Sequence, residues 1–254
     1  MTVTKARDKA VEGRNDLSRF LVHLTRDDRE DAKSYGWNGG TAAENFIGIM
    51  EDSTIYALRP HCLHLHKIPE EHFDRFSVCC FMEVPLPELH LVTRPIQGRR
   101  NQYSDYGFVF SRDFLVWKGA QPAIYVNSYG DNSELREAAD SVYAIAKEKG
   151  FSSALSRLVP HLNAMNQGYD FAWEREWRIA GNLKFELEDI ACVILPEQGE
   201  RKLKAKFLKG GIPVISPGWT GERIVAEFSK QARRAHRAWK EGKRPKKSSK
   251  QPRR

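Results

Sequence analysis

A series of short apolar runs, separated by polar, glycine-rich or proline-rich segments, constrains the fold of this chain most strongly. Such runs, rich in valine, isoleucine and aromatic residues, are typical of buried β-strands, because these side chains pack well on a pleated surface. We therefore predict strands at residues 18–25, 53–58, 76–81, 106–110, 122–126, 189–195 and 212–215.

Segments with helical spacing of apolar residues are fewer. Thr41 and Glu44 have the spacing of a capping box, in which each side chain satisfies a backbone amide at a helix start, so a helix is expected from Thr41 to about residue 50. Further helices are predicted at 133–149, 152–164, 200–208 and 221–240, with a short one after Ser111. This mixture predicts a single α+β domain with a twisted or split central sheet and flanking helices.

The length and composition are those of a globular protein. With 254 residues, 41% of them hydrophobic, the chain can bury a substantial core. We expect a flexible leader over residues 1–16, the domain over 17–229, and a basic, largely disordered tail over 230–254 that follows the last helix. No apolar run is long enough to span a membrane, no secretory signal is visible, and the adjacent Cys79 and Cys80 favour reduced thiols. A cytoplasmic protein without membrane contact is therefore expected.

The positive charge is concentrated at the C-terminal end. Residues 230–254 hold twelve Lys or Arg and one acid, a net charge of +11, whereas the whole chain carries +8, so residues 1–229 carry −3. Nucleic-acid contact is therefore expected through residues 230–254, by counterion release. A tail that only increases solubility accounts for the same composition.

Residues 171–179, with the sequence FAWEREWRI, hold the densest group of candidate functional side chains. Successive side chains of a β-strand point to opposite faces, so a strand here places Glu174, Glu176 and Arg178 on one face and the two tryptophans on the other. The tryptophan face can anchor the strand to a core. Two carboxylates side by side repel each other, and that arrangement is costly unless a ligand or partner uses it.

Two carboxylates on one strand face can act on a ribose. A carboxylate that accepts a hydrogen bond from a ribose hydroxyl stabilises the positive charge that develops on the sugar ring as its glycosidic bond breaks. The second carboxylate orients or activates a nucleophile. In the alternative interpretation, the face is a solvated polar surface on which the glutamates only pair with Arg178.

His23, in the first predicted strand, is a second candidate. It can hydrogen-bond a ribose hydroxyl, or it can be a histidine whose partners all lie in the core. Thr25 lies on the same strand face and extends the polar patch. Asn45 is near the start of the capped helix, where backbone amides favour phosphate, so a pyrophosphate near residues 41–45 fits the pattern.

Two further patterns are less specific. Tyr103 and Tyr106 flank a polar loop before a strand, where a tyrosine can stack on a flat ring such as nicotinamide or pack with its hydroxyl in solvent. The stretch HCLHLH at residues 61–66 is rich in metal-ligand residues, but its spacing matches no common zinc pattern. We therefore expect no metal site.

Six segments, in this order, resemble the abortive-infection AbiGi-type proteins and related bacterial domains. They are FLVHLT, AAENFIGIM, STIYAL, SVCCFMEVPLPEL, YGFVFSRDFLVWKGAQPAIYV and WEREWRI. The resemblance spans residues 18–195, and its last two segments are the most specific. Those proteins are associated with phage resistance, so the resemblance implies an abortive-infection protein with a toxin or antitoxin partner.

The same segments are more distantly similar to ADP-ribosyltransferase domains, including the DarT-type toxins, which carry a histidine in the first strand and a catalytic glutamate in a late strand. The similarity implies an ADP-ribosyltransferase-like fold and an NAD-dependent ADP-ribosyltransferase or NAD glycohydrolase, with NAD as substrate. It makes Glu176 the catalytic carboxylate, Glu174 its partner, and His23 a catalytic residue that positions the ribose. It also implies a stacking residue near Tyr106. With Thr25, Asn45 and Arg178 from the residue patterns above, the residues expected to bind NAD are His23, Thr25, Asn45, Tyr106 and Arg178.

The acceptor of ADP-ribose is expected to be a protein or a nucleic acid. The rival interpretation is a non-enzymatic defence component, an antitoxin or sensor that binds such a partner. In that case the Glu–Arg face is a protein contact, and residues 230–254 bind nucleic acid.

Overall fold

The computed structural model describes residues 16–30, 39–97, 102–129, 134–168 and 170–240. Most of the expected leader and the end of the expected tail, residues 1–15 and 241–254, lie outside the described residues. Within the described ranges the chain is a mixed α+β structure, with a seven-stranded mixed sheet and flanking helices. The α+β class expected from the sequence is confirmed.

Eleven strands and seven α-helices are present in the described residues. The strands are β1 (Phe20–Leu24), β2 (Thr54–Ile55), β3 (Val78–Met82), β4 (Gly107–Ser111), β5 (Gln121–Pro122), β6 (Ile124–Asn127), β7 (Leu162–Met165), β8 (Glu176–Ala180), β9 (Leu183–Lys184), β10 (Ile190–Ile194) and β11 (Val214–Ile215). The α-helices are α1 (Ala42–Asp52), α2 (Phe73–Phe76), α3 (Leu89–Thr93), α4 (Arg112–Trp117), α5 (Glu134–Glu148), α6 (Arg201–Lys209) and α7 (Gly221–Lys240).

The helix starts that the sequence predicts are confirmed at α1 and α4. Thr41 Oγ1 accepts the Glu44 amide at 3.2 Å, and Glu44 Oε2 accepts the Thr41 amide at 2.7 Å, which completes the capping box. Ser111 Oγ accepts the Phe114 amide at 3.1 Å and caps α4 in the same way. The side-chain oxygens thereby satisfy amides that have no partner inside either helix.

Both faces of the large sheet are apolar over most of its width. One face carries Leu21, Phe108 and Phe110, and the other carries Val22 and Val109, all of them buried. Because both faces are covered, the central strands appear in the sequence as continuous apolar runs rather than as an alternation. The predicted strands at 18–25, 76–81, 106–110 and 189–195 are confirmed with shifts of one or two residues at their ends.

The large sheet has a seam between β1 and β3. Its strand order is β11-β10-β4-β1-β3-β8-β5. Strand β1 pairs with β4 along its whole length, and β3 pairs with β8 along its whole length. Strands β1 and β3, in contrast, are paired at one position, where Val22 stands opposite Met82. The seam therefore separates a four-stranded half from a three-stranded half of this one sheet.

A helix expected at residues 152–164 does not form, and that prediction is wrong. The segment instead makes two 3₁₀ turns, Ala154–Arg157 and Val159–His161, and then enters β7. Pro160 explains the difference, because proline has no amide to donate and its ring clashes with the preceding helical turn. Strand β7 pairs in parallel with β6, so these two strands form a small separate sheet.

The last helix extends into the basic segment. Helix α7 spans Gly221–Lys240, so residues 230–240 are helical. In the part of the chain that the structure describes, no helix is long and apolar enough to cross a membrane. The four cysteines are free thiols, as expected from their positions in the sequence.

Candidate functional site

A cleft of about 860 Å³ opens beside the seam between β1 and β3. Such a volume is typical of small-molecule sites in proteins. Of the residues predicted to be functional, His23, Thr25, Asn45, Glu174 and Glu176 all line it. His23 comes from the four-stranded half of the sheet and Glu176 from the three-stranded half, so the fold brings together residues that are far apart in sequence.

The Glu-x-Glu segment turns instead of running straight, so the prediction of one strand over residues 171–179 is wrong. Ala172–Glu174 forms a 3₁₀ turn, Arg175 has a left-handed φ of 47°, and β8 begins at Glu176. The ladder between β3 and β8 ends where Met82 stands opposite Glu176, so no strand partner keeps the preceding residues extended. Both glutamates nevertheless reach the cleft.

The tryptophans of this segment have different environments. Trp173 is 46% exposed and does not anchor the segment, contrary to the prediction from strand alternation. Trp177 packs against the core cluster and donates from Nε1 to Glu83 Oε2 at 3.1 Å. The anchoring face expected from the sequence therefore begins at Trp177.

Glu176 is held by a buried arginine. Arg178 Nη2 donates to Glu176 Oε2 at 2.8 Å, and Arg178 Nη1 donates to the Pro160 carbonyl at 2.8 Å. Burial alone would raise the pKa of Glu176, but the charge and hydrogen bond of Arg178, assisted by His61 and Cys80, lower it below the ordinary glutamate value. The carboxylate is therefore ionised at neutral pH.

Arg178 itself does not line the cleft. Its side chain is fully buried behind Glu176, so the prediction that Arg178 binds NAD directly is not supported by its position. The sequence indicated correctly that Arg178 and Glu176 share a strand face, but it did not indicate that this face is covered at Arg178. The arginine orients the carboxylate instead.

His23 is a neutral hydrogen-bond acceptor in this cleft. Its Nδ1 lies 2.9 Å from the Cys80 carbonyl, which can only accept, so Nδ1 carries the proton and Nε2 keeps its lone pair. Burial lowers the pKa of His23, and the charge of Arg26 lowers it further, against the opposing effect of the Cys80 hydrogen bond. A neutral imidazole whose Nε2 carries no proton can accept a hydrogen bond from a ligand hydroxyl.

Cys80 connects the two predicted catalytic residues, and the sequence reasoning missed it. Its carbonyl accepts from His23, while its thiol lies on the cleft side of β3 and hydrogen-bonds Glu176. Burial, and then the charge of Glu176, raise the pKa of the Cys80 thiol well above its ordinary value. The thiol is therefore protonated and donates to the carboxylate.

Thr25 and Asn45 shape the rim of the cleft. Thr25 Oγ1 donates to the Ala42 carbonyl at 2.8 Å and so connects β1 to α1. Asn45 Nδ2 donates to the Arg26 carbonyl and to Asp28 Oδ1, each at 2.9 Å, and so holds the segment after β1. Both residues line the cleft as predicted, but these bonds occupy their donors, so they act chiefly by ordering the rim.

Tyr106 lies away from the cleft, and its assignment as a stacking residue is not supported by its position. Its hydroxyl donates to Glu200 at 2.7 Å, and its ring packs 5.9 Å from that of Phe46. Tyr103, the other tyrosine of the same loop, does line the cleft, as does Tyr56. An aromatic surface for a flat ring is therefore present, but it comes from these two residues.

Tyr125 and Asn163 also line the cleft and were not predicted as site residues. The Tyr125 hydroxyl donates to Glu176 Oε2 at 3.3 Å. Asn163 lies within the segment for which a helix was predicted, and that error concealed it. The signal against the helix was Pro160, and an extended segment would have placed Asn163 opposite its flanking apolar residues.

Positive side chains line the same cleft as the carboxylates. Arg26, Arg29 and Arg59 are among its lining residues, and Arg29 also forms an ion pair with Glu44 at 3.1 Å. His61 lines the cleft too, and burial together with the charge of Arg178 lowers its pKa to about 4, so it is neutral. The cleft therefore presents both anion-binding and cation-binding groups.

Glu174 stands between this cleft and a second groove of about 730 Å³. Met82 and Glu174 line both, so the buried Glu174 lies between the cleft and the groove. Among the described residues, no group of three or more His, Cys, Asp or Glu side chains is arranged to hold a metal ion. The carboxylates and the imidazole of the cleft can stabilise charge and transfer protons.

Comparison of the chain with family models, with curated proteins and with solved structures found no match.

Proposed function

We propose that this protein has an ADP-ribosyltransferase-like fold and cleaves the nicotinamide–ribose bond of NAD, as an ADP-ribosyltransferase or an NAD glycohydrolase. The observation that carries the proposal is that His23 and Glu176, from opposite sides of the seam, line one cleft. Their side chains project from opposite faces of the sheet, so a ribose whose hydroxyls are bound by both the neutral acceptor and the ionised carboxylate would lie across the seam.

The mixed charge of the cleft supports a dinucleotide ligand. The nicotinamide ring of NAD bears a positive charge, which passes to the ribose as the bond between them breaks, whereas the pyrophosphate bears negative charges. Glu174 and Glu176 suit the first group, and Arg26, Arg29 and Arg59 suit the second. Tyr56 and Tyr103 add rings on which a flat base or nicotinamide can stack.

The proposed bond cleavage uses Glu176, His23 and Glu174. The electron pair of the C1′–N bond leaves with nicotinamide, which becomes neutral, and positive charge develops on the ribose. The ionised Glu176 stabilises this charge while His23 Nε2 accepts a hydrogen bond from a ribose hydroxyl. Water or an acceptor group then attacks C1′, and Glu174 takes its proton.

The biological role that we propose is phage defence by abortive infection. Its support is the resemblance of the six segments at residues 18–195 to AbiGi-type proteins. Consumption of NAD, or modification of a protein or nucleic-acid acceptor, would stop the metabolism of an infected cell. A toxin or antitoxin partner in the cytoplasm fits this role.

The test measures nicotinamide release from NAD by the wild type, by Glu176→Gln and by Glu83→Gln, with and without protein and nucleic-acid acceptors. Glu83 is a matched control, because it is 7% exposed against 8% for Glu176, lies near an arginine, and does not line the cleft. We expect Glu176→Gln to lose about 10²–10³-fold in rate. Glu83→Gln should retain most of the activity.

Two outcomes would contradict the enzymatic proposal. One is a wild type that releases no nicotinamide under any of these conditions. The other is an equal loss of rate in both glutamine variants, which would indicate that the change acts through general stability.

A non-enzymatic, partner-binding function is favoured by one specific observation. Arg233, Arg234 and Arg237 are exposed on α7, directly before the basic residues 241–254. Deletion of residues 243–254 tests this alternative. It is supported if the deletion variant loses nucleic-acid binding and the wild type turns over no NAD. Unchanged nucleic-acid binding would exclude residues 243–254 as the contact.

A further inference from the structure

The small sheet of β6 and β7 closes one side of the cleft and places two polar side chains there. Tyr125 stands opposite Asn163 in the parallel register, so both side chains project from the same face. Both line the cleft. Val126 and Leu162, on the other face, are buried in a small apolar cluster that holds this sheet in place.

The side chain of Asn163 is oriented by its own backbone. Its Oδ1 accepts a hydrogen bond from the Ala164 amide at 3.0 Å. This bond identifies which of the two terminal side-chain atoms is the oxygen, so the other is Nδ2. Asn163 is 4% exposed, and its Nδ2 lies near the Tyr125 hydroxyl but forms no hydrogen bond of normal geometry with any described residue. A buried donor without an acceptor costs free energy, which a ligand oxygen can recover.

Tyr125 brings the carboxylates next to this donor. Its hydroxyl donates to Glu176 Oε2 at 3.3 Å. Burial, followed by the charges of Glu176 and Glu174, raises the pKa of Tyr125, so the hydroxyl keeps its proton. Unsatisfied donor capacity at Asn163 and acceptor capacity at two carboxylates therefore meet at one place in the cleft.

A hydroxyl group is the ligand chemistry that matches this arrangement. Its oxygen can accept a hydrogen bond from Asn163 while its O–H group donates a hydrogen bond to a carboxylate. A phosphate would accept from Asn163, but the carboxylates would repel it. A cation would satisfy the carboxylates and leave Asn163 without an acceptor.

We propose that Asn163 is a specificity-determining residue. Its amide donates a hydrogen bond to a hydroxyl oxygen of a vicinal diol, while Glu174 and Glu176 accept hydrogen bonds from the hydroxyl groups. The inference rests on the proposed function for the identity of that diol, which is the nicotinamide ribose. Asn163 touches the ligand, whereas Tyr125 acts by orienting Glu176.

The experiment compares NAD with two analogues, each lacking one hydroxyl of the nicotinamide ribose. Calorimetry gives Kd for each ligand with the wild type, with Asn163→Leu and with Asn127→Leu. Leucine is close to asparagine in size but has no amide. Asn127 is the matched control, because it is on the same face of the same small sheet but outside the cleft.

We expect the wild type to bind at least one deoxy analogue about tenfold more weakly than NAD. Asn163→Leu should bind NAD about tenfold more weakly and should barely distinguish NAD from that analogue. Asn127→Leu should retain the selectivity of the wild type. This loss of selectivity, rather than of affinity alone, separates recognition by Asn163 from a packing role.

Several outcomes would overturn the inference. If Asn163→Leu keeps the full selectivity for NAD over the deoxy analogues, Asn163 does not contact the diol. The same conclusion follows if the wild type binds NAD and both analogues with equal affinity. If Asn163→Leu fails to fold by circular dichroism, Asn163→Ala is measured with the same criteria. Selective NAD binding without nicotinamide release would contradict the proposed enzyme while leaving the diol site intact, whereas no NAD binding at all would overturn both.

Discussion

One row of residues crosses the large sheet on a single face and changes character at the seam. Cys192, Val109 and Val22 stand opposite one another in the four-stranded half, and Met82 and Glu176 continue the row in the three-stranded half. All of them are buried, but only Glu176 carries a charge. All the strand pairs that this row crosses are antiparallel, and the two halves differ along it in what they bury.

This difference separates scaffold from site. Apolar side chains fill the row in the four-stranded half, so the architecture itself does not require a buried carboxylate at Glu176. Burying Glu176 with Arg178 removes two charges from water, which costs several kcal/mol per ion before their attraction is counted. Such a pair beside a cleft is better explained by ligand binding than by stability.

The largest expected effect comes from breaking that pair. Arg178→Met should lower the free energy of unfolding by about 3–5 kcal/mol, because Glu176 is left buried without its partner. The double variant with Glu176→Gln should regain most of this loss, since no unpaired charge remains. Denaturant titration measures both, with Arg175→Met as the control: its side chain is 37% exposed, so a change within about 1 kcal/mol is expected. Equal losses at 175 and 178 would show that the loss at 178 does not come from an unpaired buried charge.

A smaller effect is expected from replacing one cysteine in each half of the sheet, Cys80 in β3 and Cys192 in β10. Cys80→Ala should reduce nicotinamide release about tenfold, close to 1.4 kcal/mol, because Glu176 loses a donor. Cys192→Ala, in the apolar half, should leave the rate unchanged, and each variant should lose about 1 kcal/mol of stability from reduced packing. Cys80→Ser, which keeps a donor, should recover most of the rate. If the serine variant is as slow as the alanine variant, the thiol does not act through this hydrogen bond.

The helix caps provide a comparison of similar size. Thr41→Ala and Ser111→Ala each remove an N-cap and should each cost about 1 kcal/mol, measured by thermal or chemical unfolding. Only Thr41→Ala should also weaken NAD binding, by up to about fivefold, because Gly40, Glu44 and Asn45 line the cleft beside this cap. Equal NAD affinity in the two variants would show that the rim is ordered independently of its cap.

The smallest effect expected is a pH dependence of stability. The pKa of Glu176 is lowered in the folded state, so its stabilising contribution is complete above the ordinary glutamate value of 4.5 and is lost as the pH falls through the lowered pKa. The difference in unfolding free energy between wild type and Glu176→Gln should therefore shrink as the pH decreases from neutral to about 3. A difference that is constant with pH would contradict the Glu176–Arg178 pairing.

Local patterns predicted much of the scaffold. Strands β1, β3, β4 and β10 and the capping box of α1 could be read from the sequence, because burial on both sheet faces and the satisfaction of helix-start amides act over a few residues. Failures followed where a tertiary contact or a single residue overrode the pattern. Pro160 ended a predicted helix, and the end of the β3–β8 ladder released the residues before Glu176.

The candidate site was predicted in part. His23 and Glu176 were identified from residue type and strand face, but Tyr106 and Arg178 were assigned to the cleft and lie outside its lining. Nothing near Tyr106 in the sequence indicates that Glu200 takes its hydroxyl, since the two residues are far apart along the chain. Asn163 was concealed because its segment was predicted to be a helix, although Pro160 is a local signal against one.

By itself the sequence determined the central strands β1, β3, β4 and β10, where α1 is capped, and that a histidine and two glutamates are available. The tertiary structure decided that β1 and β3 share a narrow seam, that a cleft opens beside it, that Arg178 lies behind Glu176, and that the Nδ2 of Asn163 is left without a well-aligned partner in that cleft. The reason is physical. Strand and cap formation depend on neighbouring residues, whereas register and burial depend on hydrogen bonds and packing between residues that are distant in the chain.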